Sequence, residues 1–253
     1  MYIWKLQDVI TAEGSVAKIV EKAKRAKLGA LWVKLADGRT PSPNTGGATG
    51  AKFLELIQRC TSAGIEVWGW HVPHCTDGTV AAELATVRTL STQFAVQGLI
   101  MDAEGGGTFF QGSVSDADAY GAGMRAIADT RGIPLAISSN DIPANLTNWL
   151  PKFNKIAAHA SLNFPQVYYG GSPSVVNRLD RAVAANAHLS IPFGPVGAAW
   201  VGDGGGCASA SACAERASQF ITLVHQRGYT HYAFWHWGGA PMAFWAVLNT
   251  TNA

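Results

Sequence analysis

A single closed (β/α)₈ TIM barrel is the fold this sequence predicts, on three observations. The chain has 253 residues, close to the roughly 250 typical of that barrel and enough for one large core. Short runs rich in β-branched and aromatic residues alternate eight times with longer helical patterns, and Gly, Pro, Asn or Asp marks each boundary. An open doubly wound sheet, the rival for such alternation, usually carries a glycine fingerprint after its first strand. Here that strand ends Leu6-Gln7-Asp8-Val9, without one.

The elements follow in order. A strand over Tyr2–Gln7 leads to a helix over Ser15–Lys27, and a second strand over Ala30–Ala36 to a Pro/Gly-rich loop and a helix over Ala51–Ala63. The third strand, Glu66–Val72, precedes a helix over Val80–Ala95. The fourth, Gly98–Glu104, runs into Gly105-Gly106-Gly107 and a helix from about Ser115. A fifth strand, Pro134–Ser139, is followed by a helix over Ala144–Ala160, which Pro151 is expected to kink or split because proline lacks the amide donor. The sixth strand is Phe164–Tyr169, with a helix over Ser174–Ala185. The seventh, Ile191–Trp200, leads through a cysteine-bearing loop to a helix ending near Arg227, and the eighth, His231–Trp237, to a last helix over Pro241–Leu248.

Composition narrows the function classes. Apolar residues make up 48% of the chain with no break that marks a second domain, so residues 1–253 read as one domain. The formal net charge is +2, and the densest basic stretch, Lys18 to Lys27, carries Glu21 at helical spacing and reads as a solvated helix face. Nucleic-acid binding would want a basic stripe, so no nucleic-acid partner is expected. No apolar run approaches the roughly eighteen residues of a membrane span. The chain opens without a charged segment, apolar core and cleavage site, so no signal peptide is predicted. The expected settings are retention in a cell, release by lysis onto a cell wall, export by another route, or prior removal of a signal. Cys207 and Cys213 bracket a Ser/Ala segment and can close a small disulfide loop, an alternative the spacing leaves open. The four cysteines match no zinc pattern.

In a barrel of this kind, function sits where strands end and βα loops begin. Those positions supply Gln7 and Asp8; Lys34 and Asp37; Trp70, His71 and His74; Asp102 and Glu104; Asn140 and Asp141; Gln166, Tyr168 and Tyr169; Trp200 and Asp203; and Trp235, His236 and Trp237. Carboxylates, amides and tryptophans converging on one rim suit a sugar, whose ring stacks on aromatic faces and whose hydroxyls take hydrogen bonds. About half of the tryptophans should instead fill core. One of Tyr168 and Tyr169 must pack outward under a helix, whereas Gln166 and Tyr168 share a face.

Within Gly98-Leu99-Ile100-Met101-Asp102-Ala103-Glu104, the two acids lie two apart on a strand and point the same way, with Cα atoms about 6.6 Å apart. Two carboxylates that close cannot both ionise freely, so one pKa should rise. A protonated carboxyl beside a carboxylate is what general-acid cleavage of a glycosidic bond requires. The bland alternative has Asp102 capping the next loop and Glu104 pairing a lysine such as Lys34. His71, His74 and His236 with the two acids offer metal donors, but no H-E-x-x-H or other ligand spacing occurs, so neither metal nor cofactor is expected. His71 is expected to hydrogen-bond a carboxylate.

Here a family resemblance enters. Leu31-Trp32-Val33-Lys34-Leu35-Ala36-Asp37-Gly38 resembles the second-strand signature of glycoside hydrolase family 25, the bacterial and phage muramidases. Ala63-Gly64-Ile65-Glu66-Val67-Trp68-Gly69-Trp70-His71 is similar to that family's third strand, and Met101-Asp102-Ala103-Glu104 to its catalytic aspartate-x-glutamate. The same four residues with Gly105 and Gly106 also resemble the end of the family 18 chitinase motif, and Phe164-Pro165-Gln166-Val167-Tyr168-Tyr169 that family's sixth-strand segment. The first resemblance covers roughly residues 30 to 105, the second two short segments. Both patterns have gaps: no aspartate stands on strand one among Trp4, Lys5 and Gln7, Phe234-Trp235-His236-Trp237 replaces the muramidase strand-eight signature, and Gln97 and Ile100 occupy positions the chitinase motif gives to aspartates.

The resemblance implies a lysozyme- or endolysin-like hydrolase of a β-linked amino-sugar polysaccharide, peptidoglycan first and chitin second. It makes Glu104 the acid, Asp102 the stabiliser of an oxazolinium ion or the tuner of Glu104, and Tyr168 the group that positions an acetamido substituent. Lys34, Trp70, His71, Asp141, Gln166, Trp235 and Trp237 are the expected substrate contacts, on a monomer. The alternatives are a non-catalytic carbohydrate-binding barrel and a metal-dependent hydrolase.

Overall fold

The computed structural model describes residues 1–251. Among the described residues nine strands form one sheet: β1 (Tyr2–Ile3), β2 (Ala30–Asp37), β3 (Thr40–Pro41), β4 (Glu66–Val72), β5 (Leu99–Asp102), β6 (Leu135–Asn140), β7 (Leu162–Gln166), β8 (Val196–Ala198) and β9 (Ala233–Trp235). Leaving out β3, the other eight are parallel and pair in chain order from β1 to β9. The short β3 folds back antiparallel on the end of β2. Helices α1 (Leu6–Glu13), α2 (Val16–Arg25), α3 (Gly47–Ser62), α4 (Val80–Phe94), α5 (Val114–Arg131), α6 (Trp149–Ala157), α7 (Val175–Asn186), α8 (Ala210–Gln226) and α9 (Met242–Thr251) lie between and after the strands. This is the (β/α)₈ barrel the alternation predicts. Side chains close the seam between β1 and β9, where the rings of Tyr2 and Trp235 meet at 5.2 Å.

Strand alternation divides the core in two. Tyr2, Trp32, Trp70, Ile100, Ala136, Phe164, Val196 and Ala233 fill the barrel interior. Their neighbours Ile3, Val33, Leu99, Met101 and Ile137 face outward against the helices. The interior is largely aromatic, with Trp32 4.7 Å from both Tyr2 and Phe164.

Several boundaries differ from the sequence expectation. The first strand ends at Ile3 instead of Gln7, because Leu6 and Val9 are buried at helical spacing and the Leu6 amide donates to Asn44 Oδ1 at 2.8 Å, which starts α1. The seventh barrel strand shrinks to Val196–Ala198, since Pro192 and Pro195 offer no amide donor to a ladder. Pro151 neither kinks nor splits its helix. It stands in the first turn of α6, where an amide has no intrahelical acceptor. Cys207 and Cys213 are bridged, with Cα atoms 5.2 Å apart, whereas Cys60 and Cys75 are buried and free. Among the described residues no helix is long and apolar enough to cross a membrane.

Candidate functional site at the C-terminal mouth of the barrel

Strand β5 sets the site. Leu99, Met101 and Ala103 point into the outer core, which leaves Ile100, Asp102 and Glu104 on the inner side. Asp102 is only 4% exposed, and its Oδ1 accepts from Gln166 Nε2 at 3.2 Å. Glu104, just past the strand end, is partly exposed and lines a cavity of about 470 Å³ with Asn140, Asp141, Gln166, Tyr168 and Arg178. Neighbouring strands place these groups by register, with Asp102 beside Ser138 and Asn140 beside Gln166.

Both carboxyls hold protons more tightly than ordinary ones. Burial, and then the charge of Glu104, push Asp102 up to about 8, opposed in part by Ser138, Lys34 and Gln166. Burial also raises Glu104, with Gln166 opposing. The pair therefore keeps a proton near neutrality. The Tyr168 phenol is raised as well, by burial and then by the charges around it, so it remains a donor.

The loop that carries Glu104 is fastened on several sides. The Gly105 amide donates to Asn140 Oδ1 at 2.8 Å, and the Phe110 amide donates to the Glu104 carbonyl at 3.1 Å. A Cβ on Gly105 would stand 2.3 Å from Trp149 Cγ, so only glycine lets the chain pass that indole. Trp149 is itself held by its N–H on Ser139 Oγ at 3.2 Å.

Side-chain parity sorts the remaining expected residues. Tyr168 faces the cavity and meets Trp200 edge-on at 5.0 Å. Tyr169 turns outward, with its hydroxyl on the Ala198 carbonyl at 3.1 Å and its ring against Phe220 of α8. Asp141 lines the cavity but is paired with Arg178, Oδ1 and Oδ2 each lying 2.6 Å from a guanidinium nitrogen. Lys34 bonds Asp37 rather than Glu104 and stands 5.2 Å above the Trp70 ring. It lines a second cavity at the mouth, about 390 Å³, with Trp4, Asp37 and Asn44 among its walls. Trp235 is half-buried, 6.5 Å from the exposed ring of Trp4.

Three expected contacts are placed elsewhere. Trp70 points inward but is 1% exposed, its N–H donating to the Trp32 carbonyl at 3.1 Å, so it fills the barrel beneath the mouth. His71 has the opposite parity and is buried on the outer side, between the Tyr120 hydroxyl at 2.9 Å and the Gly38 carbonyl at 2.8 Å. Burial lowers its pKa to about 4, so the ring is neutral. The expected hydrogen bond to a carboxylate is not made: both ring nitrogens are taken by Tyr120 and Gly38, and the Glu83 carboxylate lies 4.0 Å away. Trp237 leaves the mouth altogether: its N–H donates to Glu13 Oε1 at 3.0 Å and its ring packs on Trp245. Among the described residues no cluster of His, Cys, Asp and Glu is arranged to hold a metal ion. Sequence reasoning did not single out Arg178, which stands on a helix, or Trp4 as a rim residue. A tryptophan directly after a first strand was the available signal for Trp4.

Fold and site together define the class: a parallel (β/α)₈ barrel with a carboxyl pair at its C-terminal mouth, Asp102 buried and Glu104 opening into a cavity. The chain is similar to the class V chitinase from Pseudomonas fluorescens Pf-5 (TM-score 0.64, 10% identity, covering 100% of this chain and 99% of that one). It is likewise similar to a glycoside hydrolase family 18 N-acetylglucosaminidase from Paenibacillus barengoltzii (TM-score 0.64, 11% identity, 98% and 97% covered). The spore cortex-lytic enzyme SleL of Bacillus megaterium QM B1551 shares the shape too (TM-score 0.62, 10% identity, 98% and 72% covered). At these identities the likeness establishes the fold. No family model matches the chain, and no curated relative does.

Proposed function

We propose that this barrel is a glycoside hydrolase acting on a β-linked amino-sugar polysaccharide, peptidoglycan before chitin. The observation that carries the reading is a pair of carboxyls, both raised by burial, with Glu104 opening into a cavity at the barrel mouth. In this mechanism the proton that the pair shares sits on Glu104 when sugar binds, and Glu104 gives it to the glycosidic oxygen as the bond to the anomeric carbon breaks, while Asp102 stands as the anion. The sugar's own acetamido oxygen closes on that carbon to form an oxazolinium ion, whose positive charge the Asp102 side stabilises. The Tyr168 hydroxyl holds the acetamido group. Water then adds at the anomeric carbon while Glu104 takes back a proton, which restores the acid. Solved structures of like shape include, by name, chitinases and a spore cortex-lytic enzyme, and this supports a chitin- or peptidoglycan-like polymer.

Replacing Glu104 by Gln keeps the shape and removes the acid. We expect release of new reducing ends to fall by roughly 10²–10⁴-fold with the melting temperature not lowered. Unaltered turnover would take the acid role from Glu104. The second reading, a sugar-binding barrel without turnover, draws on Ile100 and on the absence of an aspartate in β1. Retention of cell walls, chitin or soluble glycans by the wild-type protein with no new reducing ends would favour it.

A further inference from the structure

The cavity beside Glu104 carries a cation that the cleavage chemistry does not use. Arg178, on the first turn of α7, donates from Nη2 to Asp141 Oδ1, and its Nε lies against Asp141 Oδ2 as an ion pair, both at 2.6 Å. A guanidinium has five N–H donors. Among the described residues no other group accepts from the Arg178 side chain, which is 26% exposed and lines the cavity. Asp141 thus fixes the fork in place and leaves its other donors to the space in front of Glu104. The positive end of α7 lies on the same side, since Gly171 and Ser172, just before its Ser174 cap, line the cavity. A neutral glycan needs none of this, whereas a planar, pre-set fork suits a carboxylate.

We infer that Arg178, pre-set by Asp141, reads a carboxylate on the sugar bound beside Glu104. The site would then select an acid-bearing amino sugar, such as one with the lactyl ether of a muramic residue, over its neutral counterpart. This inference rests on the proposed glycan site, but not on turnover.

The test is equilibrium binding to the intact protein, followed by NMR titration with N-acetylmuramic acid, glucuronic acid and N-acetylglucosamine. Wild type should bind an acidic sugar at least about tenfold more tightly than the neutral one, and Arg178→Gln should bring the ratio to within about twofold. Comparing the two acids shows whether the ether-linked or the ring carboxylate is the one read. Because Arg178→Gln leaves Asp141 buried without its cation, the double variant Asp141→Asn/Arg178→Gln is measured alongside and should lose the preference equally. Equal affinity of wild type for acidic and neutral sugars, or a preference that survives both variants, overturns the inference. An assay for reducing ends on the same preparations keeps the outcomes apart: acid preference without cleavage removes the hydrolase reading and leaves Arg178 its role.

Discussion

Asp102 is the carboxyl most strongly conditioned by its surroundings, and its stability linkage has a definite sign. A folded-state pKa above the unfolded value means that the native state binds more protons, so the contribution is present at low pH and declines as pH rises. The window runs from the ordinary aspartate value of about 3.9 to about 8. Asp102→Asn cannot ionise and escapes this loss. It should melt higher than wild type above about pH 8 by at least ~2–4 °C, and the two curves should converge toward about pH 4. Scanning calorimetry across that range checks it, and parallel curves would contradict the linkage. At this scale the sequence told orientation but not depth. Period-two alternation brought Asp102 and Glu104 to one side, and the same rule separates Tyr168 from Tyr169. It could not tell that Trp70 lies below the rim, and Trp70 and His71, being neighbours on one strand, could never both face the sugar. Arg178 escaped notice because a helix position carries no strand-end signal.

Elements were legible where their patterns were long and blurred where they were short. β2 and β4, with eight and seven residues, match their expected spans to within a residue. β1 and β8, with two and three residues, are both shorter than the spans their patterns suggest. Leu6 and Val9 suit a strand end and a helix start equally well, and only the tertiary bond from Asn44 decides between them. The loop after β5 is the element on which the site depends. Gly105→Ala would drive a methyl into the Trp149 indole, which the surrounding chain can relieve only by moving Glu104 or the indole. We expect a loss of about 1–3 kcal/mol in chemical denaturation, with hydrolysis falling more steeply than stability. The reverse order, a destabilised protein of normal activity, would mean that the loop does not position Glu104.

At the scale of the whole molecule, chain length and eight alternations were enough to name the barrel, because few architectures bury eight parallel strands in so short a chain. The seam could not be foreseen: β1 and β9 are too short to read as partners, and rings complete the circle there. Trp70 belongs to that interior, 5.6 Å from Trp235 and 5.8 Å from Tyr2. Trp70→Ala should therefore cost about 3–5 kcal/mol of global stability, while Trp70→Phe should cost much less and keep sugar affinity. Measured by urea denaturation beside glycan binding, a stable Trp70→Ala protein with lost affinity would return Trp70 to the substrate.

The Cys207–Cys213 clasp sits in the loop whose Gly204 and Gly205 form part of the wall opposite Glu104. Gly205 accepts from the Gly170 amide at 3.0 Å, and Gly170 has no room for a side chain against Gly206. With a sequence separation of only 6, the bridge constrains a short stretch of chain, so its service is local: it ties down one bank of the cavity beside Glu104. In surroundings rich in thiol reductant that bank would come loose while the barrel stood intact.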